Sequence, residues 1–236
     1  MKYFIRYILS LCLLGSIIIS CDDNNSMHQK YIDEGESLYL GTVDSIKVFP
    51  GNERVKFTWK VNADPRIEKT VIYWNDGKDS SVVMANRTQA GILDLETVLN
   101  IKEGIYNFKL VTKDDEGHKS LATERTVQIY GPKYISNLTS RNLVSISVSG
   151  NVLTINWATI ESVLIQYTTV RYTDYSDPEH PAPNSVRVEN GDTQTVISGI
   201  RLNDVFSVAS TYLPAGSFDV FESLPIENTL AQNVES

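Results

Sequence analysis

Val55-Lys56-Phe57-Thr58-Trp59-Lys60-Val61 alternates apolar and polar side chains without a break, the period-two pattern of a strand with one buried face. A shorter copy, Leu153-Thr154-Ile155-Asn156-Trp157, places its tryptophan 98 residues after the first. Ahead of each lies a further short strand and a turn: Ile46-Lys47-Val48 with Pro50-Gly51-Asn52, and Ile146-Ser147-Val148 with Gly150-Asn151. Such a pairing predicts a hairpin in each copy, and the spacing is that of a repeated domain rather than of a solenoid.

The correspondence extends downstream. Tyr73 lies 14 residues after Trp59 and Tyr172 lies 15 after Trp157, while Tyr106 and Phe206 follow their tryptophans by 47 and 49. Short strands at regular spacing, without a helical stripe, predict an all-β chain of two tandem antiparallel β-sandwiches. The first is expected at residues 41–131 and the second at 132–224. The seam falls at Tyr130-Gly131-Pro132-Lys133, where glycine and proline interrupt a strand, and so short a join favours a fixed pair. Residues 225–236 show no alternation and are expected to be a frayed C-terminal tail.

The composition is that of a globular protein. Among 236 residues, 21 Lys and Arg face 29 Asp and Glu, for a formal charge of −8. Residues 22–132 hold 14 cations and 18 carboxylates, and residues 133–236 hold 5 and 11. No nucleic acid partner is expected of so acidic a chain. The cysteines are Cys12 and Cys21 alone, so the body contains no disulfide framework, thiolate zinc site or cysteine nucleophile.

Lys2 and Arg6 precede a thirteen-residue apolar run, Tyr7 to Ile19, too short to span a bilayer and of signal-peptide form. Residues 1–20 are therefore expected to be a signal peptide. Ile18-Ile19-Ser20-Cys21 resembles the lipobox of bacterial lipoproteins, in which the cysteine is acylated and becomes the mature N-terminus. That resemblance implies a membrane partner through lipid on Cys21, with several acyl chains giving stable anchoring, and a lipidated tether over residues 21–40. The acidic Asp22-Asp23-Asn24-Asn25-Ser26 resembles the signal by which Bacteroidetes place lipoproteins on the outer face of the outer membrane. It implies a surface-exposed, outer-membrane location.

Each repeat looks like a fibronectin type III domain, with a buried tryptophan in the second strand and an aromatic in the sixth. That fold uses a sixth-strand tyrosine to cap a corner; Tyr106 carries the hydroxyl and Phe206 lacks it. The whole chain, through Pro50-Gly51-Asn52-Glu53-Arg54-Val55, Asn62-Ala63-Asp64-Pro65, Tyr73-Trp74-Asn75-Asp76-Gly77-Lys78-Asp79, Tyr130-Gly131-Pro132-Lys133-Tyr134 with Arg141, and Tyr212-Leu213-Pro214 with Phe218-Asp219, resembles an uncharacterised Bacteroidetes surface lipoprotein family. The resemblance implies an accessory role near polysaccharide-uptake machinery and no established activity.

Catalytic patterns are missing. His28, His118 and His180 are scattered, and no HExxH pair, GxSxG elbow or phosphate-binding glycine loop occurs, so no enzyme, metal or cofactor is expected. Lys113-Asp114-Asp115-Glu116-Gly117-His118 offers oxygens to calcium, but aspartate and glycine also make an ordinary hairpin turn. Asp44-Ser45-Ile46 fits a loose three-residue O-glycosylation pattern of exported Bacteroidetes proteins.

The second repeat carries an insertion. Thirteen residues separate Tyr172 from Val186, against eight between Tyr73 and Val82. Tyr172 at the start of this expected loop and Tyr175, Asp177 and His180 within it combine aromatic faces with polar groups, the set a sugar site uses; its three prolines also suit a stiffened sheet edge. Trp74, next to Tyr73, is expected to point opposite it, toward solvent or the domain interface, and is a further stacking candidate. The expected role is a non-enzymatic binding or spacer module, with polysaccharide as ligand. The rival is a protein-interaction subunit of a cell-surface complex, using exposed strand edges.

Overall fold

The computed structural model describes residues 39–160 and 162–230. The signal peptide, Cys21, nearly all of the tether and the last six residues lie outside them. The first sandwich comprises β1 (Asp44–Pro50), β2 (Arg54–Val61), β3 (Lys69–Trp74), β4 (Asp79–Met84), β5 (Leu93–Asn100), β6 (Gly104–Lys113) and β7 (Thr123–Ile129). They form two antiparallel sheets, β1-β2-β5 and β4-β3-β6-β7. After a five-residue helix, α1 (Pro132–Ser136), the second sandwich comprises β8 (Leu143–Ser149), β9 (Val152–Trp157), β10 (Ile165–Asp174), β11 (Ala182–Val188), β12 (Gln194–Ser198), β13 (Val205–Tyr212), β14 (Phe221–Glu222) and β15 (Ile226–Thr229). Its sheets are β12-β9-β8 and β11-β10-β13, with β14 and β15 both on the outer side of β13. The strand order repeats, and the fold is the all-β tandem sandwich the alternation predicts.

Val55, Phe57, Trp59 and Val61 face inward from β2, and Leu153, Ile155 and Trp157 from β9. Opposite them, Ile72 pairs with Leu110 and Val170 with Val208 across the second sheet of each sandwich. These pairs fix the true correspondence at a constant offset of 98 residues. Trp74, not Tyr73, is the counterpart of Tyr172, and Phe108, not Tyr106, that of Phe206. Successive strand residues point to opposite faces, so the corrected match turns Trp74 inward. Its ring packs against Phe108, 6.2 Å between centroids, in the core of the first sandwich. The corner expected of Tyr106 is not made: the ring lies 6.0 Å from Phe108, and its hydroxyl has no hydrogen-bond partner among the described residues.

Buried hydroxyls repeat at the same offset: Thr70 with Thr168, and Thr112 with Ser210. The Thr112 N–H donates to Ser120 Oγ and the Ser210 N–H to Ser223 Oγ, each at 3.0 Å. In the first sandwich the Trp59 indole N–H donates to Thr70 Oγ1 at 3.1 Å. In the second, the Trp157 N–H turns to Thr195 at 2.8 Å, and Thr168 pairs with Ser210 instead, at 2.9 Å.

The tail expectation fails over the described part of 225–236. Ile226 to Thr229 pair with β13 and Leu230 is buried. Main-chain pairing needs no side-chain alternation, and most β15 side chains face solvent, so the strand left no pattern to read.

The sandwiches meet end to end at a packed joint. Asp219, in the turn after β13, accepts from the Asn52 N–H and from Arg54 Nε, both at 2.8 Å, and pairs with the second guanidinium nitrogen. Arg54 lies over the Phe218 ring, 4.7 Å from its centroid. Pro50 O accepts from the Phe218 N–H at 3.1 Å and from Ser217 Oγ at 3.0 Å. Gly51 permits this approach, since a Cβ there would meet the Asp219 carboxylate and Phe218. Beneath, Tyr130, Tyr134 and Phe221 form a ring cluster with centroids 4.5 to 5.4 Å apart. Glu103 accepts the free N–H groups of Lys133 and Tyr134 at 2.6 and 2.7 Å, satisfying the start of α1.

Candidate functional site

The insertion in the second repeat is an arm of the sheet rather than a loop. β10 and β11 pair from Thr168 with Val188 out to Asp174 with Ala182, which leaves only residues 175–181 as the turn. β11 is an edge strand, so Pro183 sits where a missing N–H costs no ladder bond. β10 loses β13 as a neighbour beyond Arg171, and the hairpin tip therefore extends past the sheet at the end remote from the joint.

The tip is internally braced. Asp174 accepts from the Ser176 hydroxyl and N–H at 2.7 and 2.8 Å and from the Asn184 amide at 3.1 Å; these bonds hold its carboxyl below the usual range. The Tyr175 N–H donates to Gly199 O at 2.7 Å. Gly199 has φ +76°, and a Cβ there would press on Asp174 and Ser176, so glycine is required for the arm to dock. The Asp204 carboxylate beside the Tyr175 hydroxyl, and burial, push that phenol up. Arg201 covers one face of the ring, 5.2 Å from its centroid.

Of the sugar-site candidates, Tyr175, Asp177 and His180 share this tip. His180 Nδ1 lies 3.0 Å from Asp177 Oδ2, and their side chains are 81% and 64% exposed. Tyr172 faces the other way, onto the core of the second sandwich, where burial raises its phenol pKa. Trp74 belongs to the other sandwich. The structure thus gathers three of the five, and Tyr172 and Trp74 give their rings to packing.

At the opposite end, the loops after β2 and β4 enclose a cleft of about 770 Å³ lined by Ala63, Pro65, Ile67, Glu68, Ala85 and Arg87, among others. Arg87 donates to Gly91 O at 2.5 Å and to Asn62 O, tying two loops together. Sequence reasoning missed this cleft, because it is assembled from loops with no spacing pattern. In the neighbouring turn, Asp114, Glu116 and His118 bring one ligand atom each within 4.8 Å of one another. The Asp114 oxygens are already occupied by the N–H groups of Glu116 and His118, at 3.0 and 2.8 Å, and by the His118 ring at 2.6 Å. Burial opposes ionisation of Asp114, but those bonds win and hold its carboxyl low. The geometry is that of the hairpin turn.

Arg141 is the other functional-looking residue that packing explains. Buried, it donates to Ala158 O at 2.9 Å, Asp192 O at 2.8 Å and Glu189 O at 3.3 Å, and lies 5.5 Å from the Trp157 ring centroid. One guanidinium fork thereby pins two loops, and desolvation lowers its pKa.

The fold and its joint define a protein of two tandem β-sandwiches, three strands against four in the first and three against five in the second. The chain belongs to the DUF4998 family, a domain of unknown function, which matches residues 21–221. Among solved structures it is similar to a two-domain fibronectin type III segment of chicken tenascin, with 18% identity over 81% of this chain and 100% of that one and a TM-score of 0.33. It is also similar to the FN1–FN3 domains of chicken CNTN1, with 13% identity over 83% of this chain and 69% of that one and a TM-score of 0.37. None of the curated proteins compared matches it. The fold assignment rests on the strand order itself.

Proposed function

We propose that this chain is a non-enzymatic binding or spacer module, anchored through lipid on Cys21 and displayed at the outer membrane of a Bacteroidetes cell, where it serves polysaccharide capture. The observation that supports a spacer is the joint: Asp219, Arg54 and the Tyr130–Tyr134–Phe221 cluster make one body of two sandwiches, which holds the β10–β11 tip at the far end from Leu40. Acidic and imidazole groups that could serve chemistry are spent on structure, as in Asp114 with His118. Any sugar contact falls to Tyr175, Asp177 and His180 at the tip.

Spin labels on Glu116→Cys and Glu179→Cys test the spacer. One narrow distance distribution is expected, and a broad one sinks the idea. Labelled palmitate should enter the chain and be lost on Cys21→Ala; retention of label overturns the anchor. Affinity electrophoresis against a polysaccharide panel tests capture, and no retardation by any glycan removes it. The second reading, a protein-interaction subunit, draws support from an uncharged sheet in the second sandwich, and pull-down from detergent-solubilised membranes tests it by a stoichiometric partner.

A further inference from the structure

The solvent face of β8-β9-β12 is a grid of three rows set by the pairing register: Ser145, Asn156 and Gln194; Ser147, Thr154 and Val196; Ser149, Val152 and Ser198. None is charged. The first row is stitched by hydrogen bonds, the Asn156 amide donating to Ser145 Oγ at 2.8 Å and the Gln194 amide to Asn156 Oδ1 at 3.0 Å. Val144 and Val196 stand in solvent, 68% and 60% exposed.

Among the described residues, β8 is also an edge of that sheet, paired only with β9. Natural edges are guarded by charge, proline or bulges, because unpaired N–H and C=O groups template another strand. Outside this sheet, edge strands conform: Asp44, Lys47 and Pro50 on β1, Asp94 and Glu96 on β5, Asp79 on β4, Glu124 and Arg125 on β7, Pro183 on β11. β8 has one bulge, between Leu143 and Ser145. From Ser145 to Ser149 it is regular and bare. β12 is uncharged too, but it is shorter and follows directly on Glu189 and Asp192.

We propose that β8 is a self-association edge, pairing antiparallel with β8 of a second copy of this chain about a two-fold axis at Ser147. The occupant follows from charge. A chain of net charge −8, whose residues 133–236 hold 5 cations against 11 carboxylates, repels its own copy over an acidic surface. A neutral face is compatible with itself, and a two-fold axis sets the same patch against itself. Antiparallel pairing centred on Ser147 places Ser145 opposite the partner's Ser149 and joins two three-stranded sheets into one of six, with the polar grid continuous across the seam. The inference is independent of the anchor and of glycan capture.

The body's lack of cysteine makes the test clean. The full chain carrying Cys12→Ala, Cys21→Ala and Ser147→Cys, treated with a short bismaleimide, should yield a dimer several-fold above the same chain with Ser198→Cys on the opposite edge. Ser149→Cys should yield little, because four residues of strand, about 13 Å, separate it from its own copy across the axis. All three serine substitutions face solvent and leave the core intact. No dimer at Ser147, equal yields at the three positions, or a maximum at Ser198 overturns the proposal. So does a cross-link from Ser147→Cys to a different protein, which would show that the edge takes another partner.

Discussion

On the first sandwich, the solvent face of β1-β2-β5 is built from charge: Lys56 pairs with Glu96 at 2.9 Å and Lys60 with Asp94 at 3.5 Å, with Asp44 and Lys47 alongside. On the second, the equivalent face carries serine, threonine, asparagine, glutamine and valine, and the noteworthy cation, Arg141, lies inside. The two share strand order, buried tryptophans and buried hydroxyls. What differs is where charge sits. One sandwich keeps ions on this face in water, where they solubilise and discourage edge pairing; the other uses an ion as an internal brace and leaves this one face neutral. A repeated fold can hold its core constant while its faces diverge, because solvent-facing positions are nearly free of packing constraint.

Removing the shared element should have the largest effect. Trp59→Ala and Trp157→Ala should each cost about 3–5 kcal/mol in urea unfolding, with Trp157→Ala also releasing Arg141. A double-mutant cycle of Trp157 and Arg141 should show coupling, and additivity would break the claim that the second sandwich is braced from within. Arg141→Lys comes next, at about 2 kcal/mol, since a single ammonium cannot serve three carbonyls in fork geometry. A loss as small as that of a surface substitution would mean that water already satisfies those carbonyls.

Asp219→Asn acts on the joint between the two and should cost about 1–2 kcal/mol, read as separation of one unfolding transition into two. The pH dependence has a definite sign. Arg54, against the opposing effect of burial, holds the Asp219 carboxyl below its unfolded value, so the joint's contribution is present above about pH 4 and lost as pH falls through the lower, folded value. Splitting of the transition on raising pH instead would contradict the pairing. The smallest effect is expected outside: Lys56→Thr with Glu96→Gln should move stability by no more than about 0.5 kcal/mol, less in high salt. A larger loss would show that the charged face is structural rather than a matter of solubility.

The alternation around Trp59 and Trp157 was enough to read two sandwiches, because burial on one face of a strand writes itself into every second residue. It was not enough to fix the repeat to the residue. Matching Tyr73 to Tyr172 tolerated a one-residue difference in spacing, and in a strand one residue reverses the face, which is how Trp74 came to be expected in solvent. A constant offset of 98 through Trp59, Thr70, Trp74 and Phe108 restores the register. The prolines of the insertion read as loop although Pro183 lies in an edge strand, since a missing N–H is silent there. The joint left no periodic signal, being made of turn residues whose meaning depends on what docks against them. Several segments that carry the family resemblance, Pro50 to Val55, Tyr130 to Tyr134 and Phe218-Asp219, converge there.

Arg54 and Asp219 stand 165 residues apart in the chain. A chain that emerges from its N-terminus presents the first sandwich complete while the turn at Gly51 still lacks its cover, and Asp219 arrives only after almost the whole second sandwich has been made. The joint is therefore among the last long-range contacts to close, ahead only of those made by Phe221 to Leu230. Its closure reports that the chain has been made through β13 and the turn beyond it, and a chain truncated before Ser217 would have two nearly finished halves without the Arg54–Asp219 lock between them.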